Sequence, residues 1–480
     1  MAIRRLWLLP PLAIARLGPS AIPCDSFGWG PDDLRPSGTG KTTILPDETL
    51  RVAADGTVSS DVPQHVMFKD SAGWRPVCPF VELHGEWESG GTIRQGPITP
   101  EVLALFGLTT ADLRWRVEVA NLKSFHYTLA DGDRVAAAVE VAGDVHTPTV
   151  LRATSPANTA QPLIPTGTTI PLGRVQVTRP SPAHPELRLR FTPAIGAVYG
   201  PTDLAQRSQS RKPPTARISL PADRRILNPN AAWCRFRVTT DGRTNPGGLF
   251  AKDDDETAPG EDDGVSLGLV DDVCDGLVHA SLPGVARASA RVVVGPPDFA
   301  PDRRPFVSLA DGLTDRVDRA AVSDPGYVEN VDLTSLEVRD LFERILETVD
   351  NINIDVQNDR IRAENRNLAA FLGIPQAAAV ARAFPPVEPL AGRPLPLTQT
   401  GRQRHRRFLA LEVLEDLLRE QPDLVERVIR APGEGDPLYD RRMPAVMRGS
   451  DRRPMHLTRR QYTLLVAWVA RLREDIEPGT

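Results

Sequence analysis

Cysteine is scarce in this 480-residue sequence, which contains only four. Cys24, Cys78, Cys234 and Cys274 lie far apart and form no CxxC pair, so their spacing argues against a zinc site. So few cysteines in a long chain are typical of a reducing compartment, where buried free thiols are expected. The sequence therefore predicts a cytoplasmic protein without a disulfide framework.

Excess basic charge and long hydrophobic runs are also missing. The net charge is −5 and the isoelectric point lies near 6.0, which argues against nucleic-acid and anionic-membrane partners. The apolar run after Arg5 resembles the start of a signal peptide. It is interrupted at Pro10, gains a charge at Arg16, and is too short to span a membrane. We therefore expect a first β-strand here. Arginine greatly outnumbers lysine, a bias that indicates a bacterial-type composition.

Familiar catalytic motifs are absent as well. The sequence has no nucleophile elbow, no HExxH and no GxGxxG. Gly40 and Lys41 look like the end of a phosphate-binding loop, but Arg35 occupies the place of its first glycine. Pro46 would also interrupt the helix that must follow such a loop. This stretch therefore predicts a solvated glycine loop.

The acidic residues near position 260 and the histidines are interpreted as structural rather than functional. The acidic residues between 252 and 264 lack the ligand spacing of a calcium-binding loop, so they predict a solvated loop. The eight histidines are scattered, and three that lie beside apolar residues are interpreted as structural: His126, His279 and His456. The sequence thus predicts no metal site and identifies no catalytic residue.

The richest pattern lies between residues 264 and 313. Two apolar runs, Leu277–Leu282 and Ala290–Val294, flank the pair Pro283-Gly284. Runs of β-forming residues on either side of a chain-reversing pair predict a β-hairpin. We expect the second run to be a central strand, with the side chain of Val293 in the core.

Shorter patterns predict the rest of the front of the chain. Charged and apolar residues alternate from Leu113 to Asn121, which indicates a half-buried strand. Thr99–Leu113, with Pro100 in its first turn, predicts a short helix. Short β-rich runs between residues 135 and 200 are separated by glycine and proline, as is typical of sandwich-like sheets.

The hydrophobic period changes near Thr334. Thr334 and Glu337 have the spacing of a capping box at the start of a helix, and Thr458 and Gln461 repeat it. A further helical pattern lies between residues 408 and 418. The sequence therefore predicts an α+β protein, with a β-rich, sandwich-like domain over residues 1–325 and a mainly helical region over 326–480.

Several segments, in this order, carry a family resemblance. They are PPLAIARLGPS near the N-terminus, FKDSAG at 68–73, WRVEVANLK at 115–123, DDVCDG at 271–276, GPPDFAP at 295–301, RMPAVM at 442–447 and LTRRQY at 457–462. Together they resemble the L-lysine epsilon-oxidase and glycine oxidase family, whose members carry cysteine tryptophylquinone. The RQAARF-type strand that follows FKDxxGR in the family is replaced here by RPVCPFVEL.

The resemblance implies the deamination of amino acids by a quinone built from one tryptophan and one cysteine. In the family both residues lie beyond the QYxxLxxW helix, whereas no cysteine follows Cys274 here. We therefore expect a shortened relative without the quinone, a pseudoenzyme that binds an unidentified small molecule or protein partner. The alternative is an amino-acid-oxidase-like enzyme with an unrecognised cofactor, or one whose site is completed by another subunit. Homo-oligomerisation is left open.

Other tryptophan–cysteine pairs are poor substitutes for the cofactor positions. Trp233 and Cys234 are adjacent, so their side chains diverge too far for a cross-link. Cys24 or Cys78 with a distant tryptophan stays open, and core packing is the favoured interpretation of each such tryptophan. The tryptophans concerned are Trp29, Trp87 and Trp115.

Overall fold

The computed structural model describes residues 2–32, 42–207, 219–236, 266–297, 304–350, 416–434, 447–448 and 453–474. The chain divides into two compact units. The first consists of Met1–Gly28 with Leu45–Phe299, and the second of Trp29–Ile44 with Ala300–Thr480. The protein is α+β, with most strands in the first unit and the long helices in the second. The core of the predicted glycine loop and the acidic residues 252–264 lie outside the described residues.

The strands are numbered in chain order. They are β1 (Ala2–Leu9), β2 (Leu12–Arg16), β3 (Phe27–Asp32), β4 (Thr42–Pro46), β5 (Thr49–Val52), β6 (Val58–Asp61), β7 (Lys69–Asp70), β8 (Gly73–Trp74), β9 (Phe80–Ser89), β10 (Thr92–Pro97), β11 (Arg114–Asn121), β12 (Val135–Ala142), β13 (Thr149–Ala153), β14 (Ile170–Val177), β15 (Arg188–Pro193), β16 (Val198–Pro201), β17 (Arg225–Leu227), β18 (Val270–Asp271), β19 (Asp275–Ser281), β20 (Ala288–Gly295), β21 (Met447–Arg448) and β22 (Arg453–Pro454).

The α-helices are numbered in the same way. They are α1 (Pro100–Ala104), α2 (Lys123–Thr128), α3 (Leu204–Arg207), α4 (Leu309–Val317), α5 (Pro325–Val328), α6 (Val331–Asp350), α7 (Leu424–Val428) and α8 (Arg459–Glu474). Residues 416–420 are also helical. None of the described helices is both long enough and apolar enough to cross a membrane.

A five-stranded sheet contains the predicted hairpin. Its strand order is β12-β11-β19-β20-β2, with β2 parallel to β20 and the other pairs antiparallel. β11 is the strand predicted from the alternation between Leu113 and Asn121, and its residues Trp115, Val117 and Val119 are buried on one face. The hairpin and the half-buried strand are therefore confirmed.

A six-stranded sheet forms the second layer of the first unit. Its order is β1-β9-β15-β14-β13, and β10 pairs with β9 on the edge opposite β1. The N-terminal segment, predicted as one strand, is two strands that lie in different sheets, separated by the cis Leu9-Pro10 bond. The two sheets share one hydrophobic core, which includes Leu8, Trp115 and Phe191. This is the sandwich-like arrangement that the spacing of the strands predicts.

The hairpin turn shows why glycine occupies position 284. Val285 N donates to Leu282 O at 3.3 Å, and Gly284 has a φ of 73°. A positive φ at the third turn residue is typical of a type II turn with proline before it. The expectation that Val293 lies in the core is wrong, because its side chain is 38% exposed whereas that of Val292 is fully buried.

The helix predicted over Thr99–Leu113 is much shorter than expected. Thr99 is its N-cap and accepts from Val102 N, and Pro100 is in the first turn, as predicted. The helix ends at Ala104, and the chain reverses at Gly107, whose φ is 67°. A separate 3-10 turn then leads into β11.

The second unit has its own hydrophobic core. α6 and α8 contribute Leu341, Ile345, Leu465 and Trp468 to it, and the Trp468 indole N–H donates to Ser335 Oγ at 3.0 Å. Leu417 and Leu418 also lie in this core, whereas residues 408–415 of that predicted helix lie outside the described residues.

The two predicted capping boxes have different outcomes. At α8, Gln461 N donates to Thr458 Oγ1 at 3.2 Å and Thr458 N donates to Gln461 Oε1 at 3.0 Å, so this box is confirmed. At α6 the box is wrong, because the helix begins at Val331 and the Thr334 hydroxyl donates back to Asn330 O. Spacing alone does not separate a cap from a residue inside a helix, where such back-bonding is common.

Candidate functional site

The outward face of β9 carries a row of polar side chains. Along the strand, Val81 and Leu83 are buried in the core, while the alternate residues Glu82, His84 and Glu86 point to the other face. These outward residues are half-buried rather than exposed. The outward face of β9 therefore presents a half-buried row of ionisable side chains.

Glu82 is the centre of an ion-pair network on this face. Its carboxylate accepts from Arg188 Nε at 2.6 Å and contacts His84 Nε2 at 2.7 Å. Arg188 stands directly opposite Glu82 on β15 and also reaches Glu186 at 3.1 Å. The ring of Trp7, opposite His84 on β1, lies 6.1 Å from the imidazole. This end of the face is electrostatically satisfied.

Arg190 lies one row further along the same face. It is opposite Phe80 in the register of β15 with β9, and its side chain is only 9% exposed. Within the residues that the structure describes, no carboxylate forms an ion pair with Arg190. A buried cation without a counter-charge is costly, since burial removes its hydration.

The Cys78 thiol is hydrogen-bonded to Arg190 and to the Thr192 hydroxyl. Burial raises the pKa of Cys78, and hydrogen bonds from Arg190 and Thr192 offset only part of that rise. The positive charge of Arg174, opposite Thr192 on β14, also reaches this thiol. Because the thiol stays neutral near pH 7, it does not compensate the guanidinium.

In a second cluster of arginines, a buried carboxylate balances the positive charges. The side chain of Asp25 is 3% exposed and forms ion pairs with Arg51 at 2.8 Å and Arg75 at 3.3 Å. It also accepts a hydrogen bond from Met67 N at 3.1 Å. Cys24, the neighbour of Asp25, has a pKa raised to about 11, chiefly by burial. Among the described residues, Asp25 thus compensates two arginines, whereas no carboxylate forms an ion pair with Arg190.

The tryptophans considered as cofactor partners occupy different surroundings. Trp115 is fully buried in the core, and no hydrogen-bond partner is present for its indole N–H among the described residues. Trp87 faces the core from β9, whereas Trp29 is 59% exposed. Trp233 donates to Leu269 O at 2.9 Å. Core packing is therefore the environment of Trp87, Trp115 and Trp233.

The acidic stretch before the hairpin joins separate parts of the first unit. Asp271 accepts from Asn121 Nδ2 at 2.7 Å and from Lys123 Nζ at 2.6 Å. Asp272 is fully buried, and burial raises its pKa to about 6. Cys274 is also buried, and burial raises its pKa to about 12, so this thiol is inert at neutral pH. These residues act in the interior of the unit.

The three histidines interpreted as structural differ in burial and in their polar contacts. His279 is buried, and its Nδ1 contacts Ser289 Oγ at 2.7 Å across the hairpin, while burial lowers its pKa. His126 is exposed on α2, and His456 contacts Leu457 O at 2.9 Å. Across the described ranges no group of three or more metal-ligating side chains comes together.

The site residues on β9 and β15 were missed by the sequence analysis. The alternation from Phe80 to Trp87 would have identified β9, since polar residues occupy every second position. Nothing in the sequence signals that Arg190 meets Cys78, because Cys78 precedes β9, Arg190 lies on β15, and the two residues meet only through the pairing of these strands.

Comparison with known proteins finds similarity among solved structures. No protein-family model and no curated protein matches the chain. Two crystal structures of the L-Lys epsilon-oxidase from Marinomonas mediterranea, one of them the Schiff base intermediate with L-Lys, match with TM-scores of 0.34. Their identities are 14% and 15%, and each match covers 65% of this chain and 38% of the other. A further structure of this oxidase has a TM-score of 0.31. The chain thus spans under two-fifths of the solved structures it matches, and the likeness is a weak one at the level of the fold.

Proposed function

We propose that this chain is a non-quinone relative of the amino-acid oxidases and that it binds a small carboxylate-bearing molecule on the outward face of the six-stranded sheet. The observation that carries the proposal is Arg190, which is 9% exposed and forms no ion pair with a carboxylate among the described residues. Arginine presents a planar fork that matches a carboxylate with two parallel hydrogen bonds.

The neighbours of Arg190 support an anionic ligand. Thr192 offers a hydroxyl donor, and Arg174 adds a second positive charge at the more exposed side of the site. Because the Cys78 thiol is neutral, it does not repel a negatively charged ligand. On the other side of the site, the charge of Arg188 is already balanced by Glu82. This pair therefore disfavours a second ligand carboxylate there.

Calorimetric titration with small mono- and dicarboxylates tests this function. Arg190→Gln retains a polar side chain but removes the charge, and we expect binding to weaken about 10- to 100-fold, the cost of a charged hydrogen-bonded pair. Arg152→Gln is the matched control, because Arg152 is an exposed arginine of the same sheet. Equal loss in both variants, or no binding by the unaltered chain, would contradict the proposal.

A second candidate function is favoured by the ordered sequence segments that resemble the oxidase family. In that case the chain is an amino-acid-oxidase-like enzyme whose site is completed by another subunit or by an unrecognised cofactor. Hydrogen peroxide release across the twenty amino acids, with quinone staining and intact-protein mass, separates the two functions. Peroxide release with a mass shift at a cysteine–tryptophan pair would favour the enzyme over the binding protein.

A further inference from the structure

Two segments of the first unit run side by side next to the proposed binding face. Ser20 N donates to Trp74 O at 3.2 Å, and Arg16 and Val77 exchange backbone hydrogen bonds at 3.2 and 3.1 Å. Gly18 lies so close to the second segment that a Cβ there would approach Trp74 O to 2.4 Å. Residues 16–24 and 74–78 are therefore held in fixed register by their backbones.

Each of these segments brings one cysteine to the same carbonyl group, Cys24 through its backbone N–H and Cys78 through its thiol. Cys24 N donates to Pro76 O at 2.8 Å, and Cys78 Sγ lies 3.8 Å from that oxygen. Cys24 Sγ lies 3.9 Å from Met67 O. Both cysteines are free and half-buried, and the charge of Cys78 contributes to the raised pKa of Cys24. Cys234 and Cys274, in contrast, are 0% and 3% exposed.

We propose that Cys24 and Cys78 are a redox pair that forms a reversible intramolecular disulfide by exchange with a small-molecule disulfide. One protein thiol loses its proton to solvent, and its thiolate attacks a sulfur of the small disulfide, releasing one small thiol. The second protein thiolate then attacks the mixed disulfide and releases the other small thiol. Two protein thiols are oxidised, and one small disulfide is reduced to two thiols. The inference does not depend on the proposed ligand.

The thiol environment sets the rate of this exchange. The thiolate is the attacking species, and the pKa of Cys24 is raised to about 11 by burial, with the Asp25 charge adding to the rise. The fraction of thiolate therefore grows roughly tenfold for each pH unit between 7 and 10. The pair is slow to oxidise at neutral pH, so the reduced form persists where small thiols are abundant.

Incubation of the whole chain with oxidised glutathione tests the proposal. We expect the intact mass to fall by two hydrogen atoms, and digestion under non-reducing conditions to yield the peptide of Cys24 joined to that of Cys78. Dithiothreitol should restore both thiols. Closure should accelerate about tenfold per pH unit from 7 to 9.

Two variants make the result decisive. Cys24→Ser and Cys78→Ser should each stop at a mixed disulfide with glutathione or remain unmodified, with no loss of two hydrogens. Cys234 and Cys274 should resist alkylation until the chain is unfolded. Persistent free thiols at Cys24 and Cys78 after prolonged oxidation at pH 9, mixed disulfides that never close, or a link to Cys234 or Cys274 would overturn the pair. None of these outcomes depends on carboxylate binding.

Discussion

Asp272 Oδ2 accepts a hydrogen bond from the backbone N–H of Ala197 at 2.7 Å, although the two residues are 75 positions apart. The same oxygen accepts from Gly196 N at 3.1 Å, while Oδ1 is buried and has no hydrogen-bond partner in the described part of the chain. One oxygen of this carboxyl group therefore fixes a loop beside β16, and the other is buried without a hydrogen bond from the described residues. This asymmetry makes the ionised form expensive.

Replacement of Asp272 should change the dependence of stability on pH. Burial raises its pKa from 3.8 to about 6, so the folded state holds a proton that the unfolded state has lost between these values. The stabilising contribution of this group is present below pH 3.8 and is lost as the pH rises to about 6. The loss is of the order of 3 kcal/mol.

The measurement compares urea unfolding of the unaltered chain and Asp272→Asn at pH 4.5 and pH 7. Asparagine does not titrate, so the difference in unfolding free energy between the two proteins should shift in favour of the variant at the higher pH. Parallel pH profiles for the two proteins would show that Asp272 ionises normally.

The valine run of β20 offers a sharp pair of substitutions. Val292 is fully buried, so Val292→Asp places an unpaired carboxylate in the core at a cost of several kcal/mol and should prevent folding. Val293, 38% exposed, points to the other face of the same strand, and Val293→Asp should leave the melting temperature within a few degrees. Soluble expression and thermal melts distinguish them. An equal loss of soluble expression and melting temperature in both variants would mean that the outer face of β20 is also buried.

The strand itself could be predicted from the sequence, but its inward face was predicted incorrectly. Three consecutive valines, Val292–Val294, have no polar residue among them to mark the solvent side. Ser289 and Arg291 do mark it, because outward residues of a strand are two apart, and this alternation continues to Val293. The flanking residues therefore contained the missing information.

Other parts of the fold cannot be predicted from local sequence patterns. Pairing of β2 with β20 in parallel joins residues near the N-terminus to a hairpin almost 280 positions later, and no turn or spacing specifies it. The Arg190 site has the same origin, since the arginine and Cys78 come together only when β15 pairs with β9. Local periodicity predicts elements, whereas long-range register assembles the candidate site.

Gly276 is predicted to be intolerant of any side chain. A Cβ at this position would lie 1.9 Å from Glu118 O on the paired strand β11, so Gly276→Ala requires the two backbones to separate. We expect a loss of several kcal/mol or failure to fold. Gly312→Ala on α4 is the control, since nothing lies within 4 Å of its Cβ and alanine favours the helix. Similar melting temperatures for the two variants would contradict the tight β11–β19 contact.

The N-terminus of α8 provides the last prediction. Thr458 caps this helix through reciprocal hydrogen bonds with Gln461, and the helix places Leu465 and Trp468 in the core of the second unit. Thr458→Ala should lower the unfolding free energy of this unit by about 1 kcal/mol, because a helix N–H loses its acceptor. Thr458→Ser retains the hydroxyl and should recover most of the loss. Far-ultraviolet circular dichroism during denaturant unfolding follows the loss of the helices, and an alanine variant indistinguishable from the serine variant would show that the capping bond contributes nothing to stability.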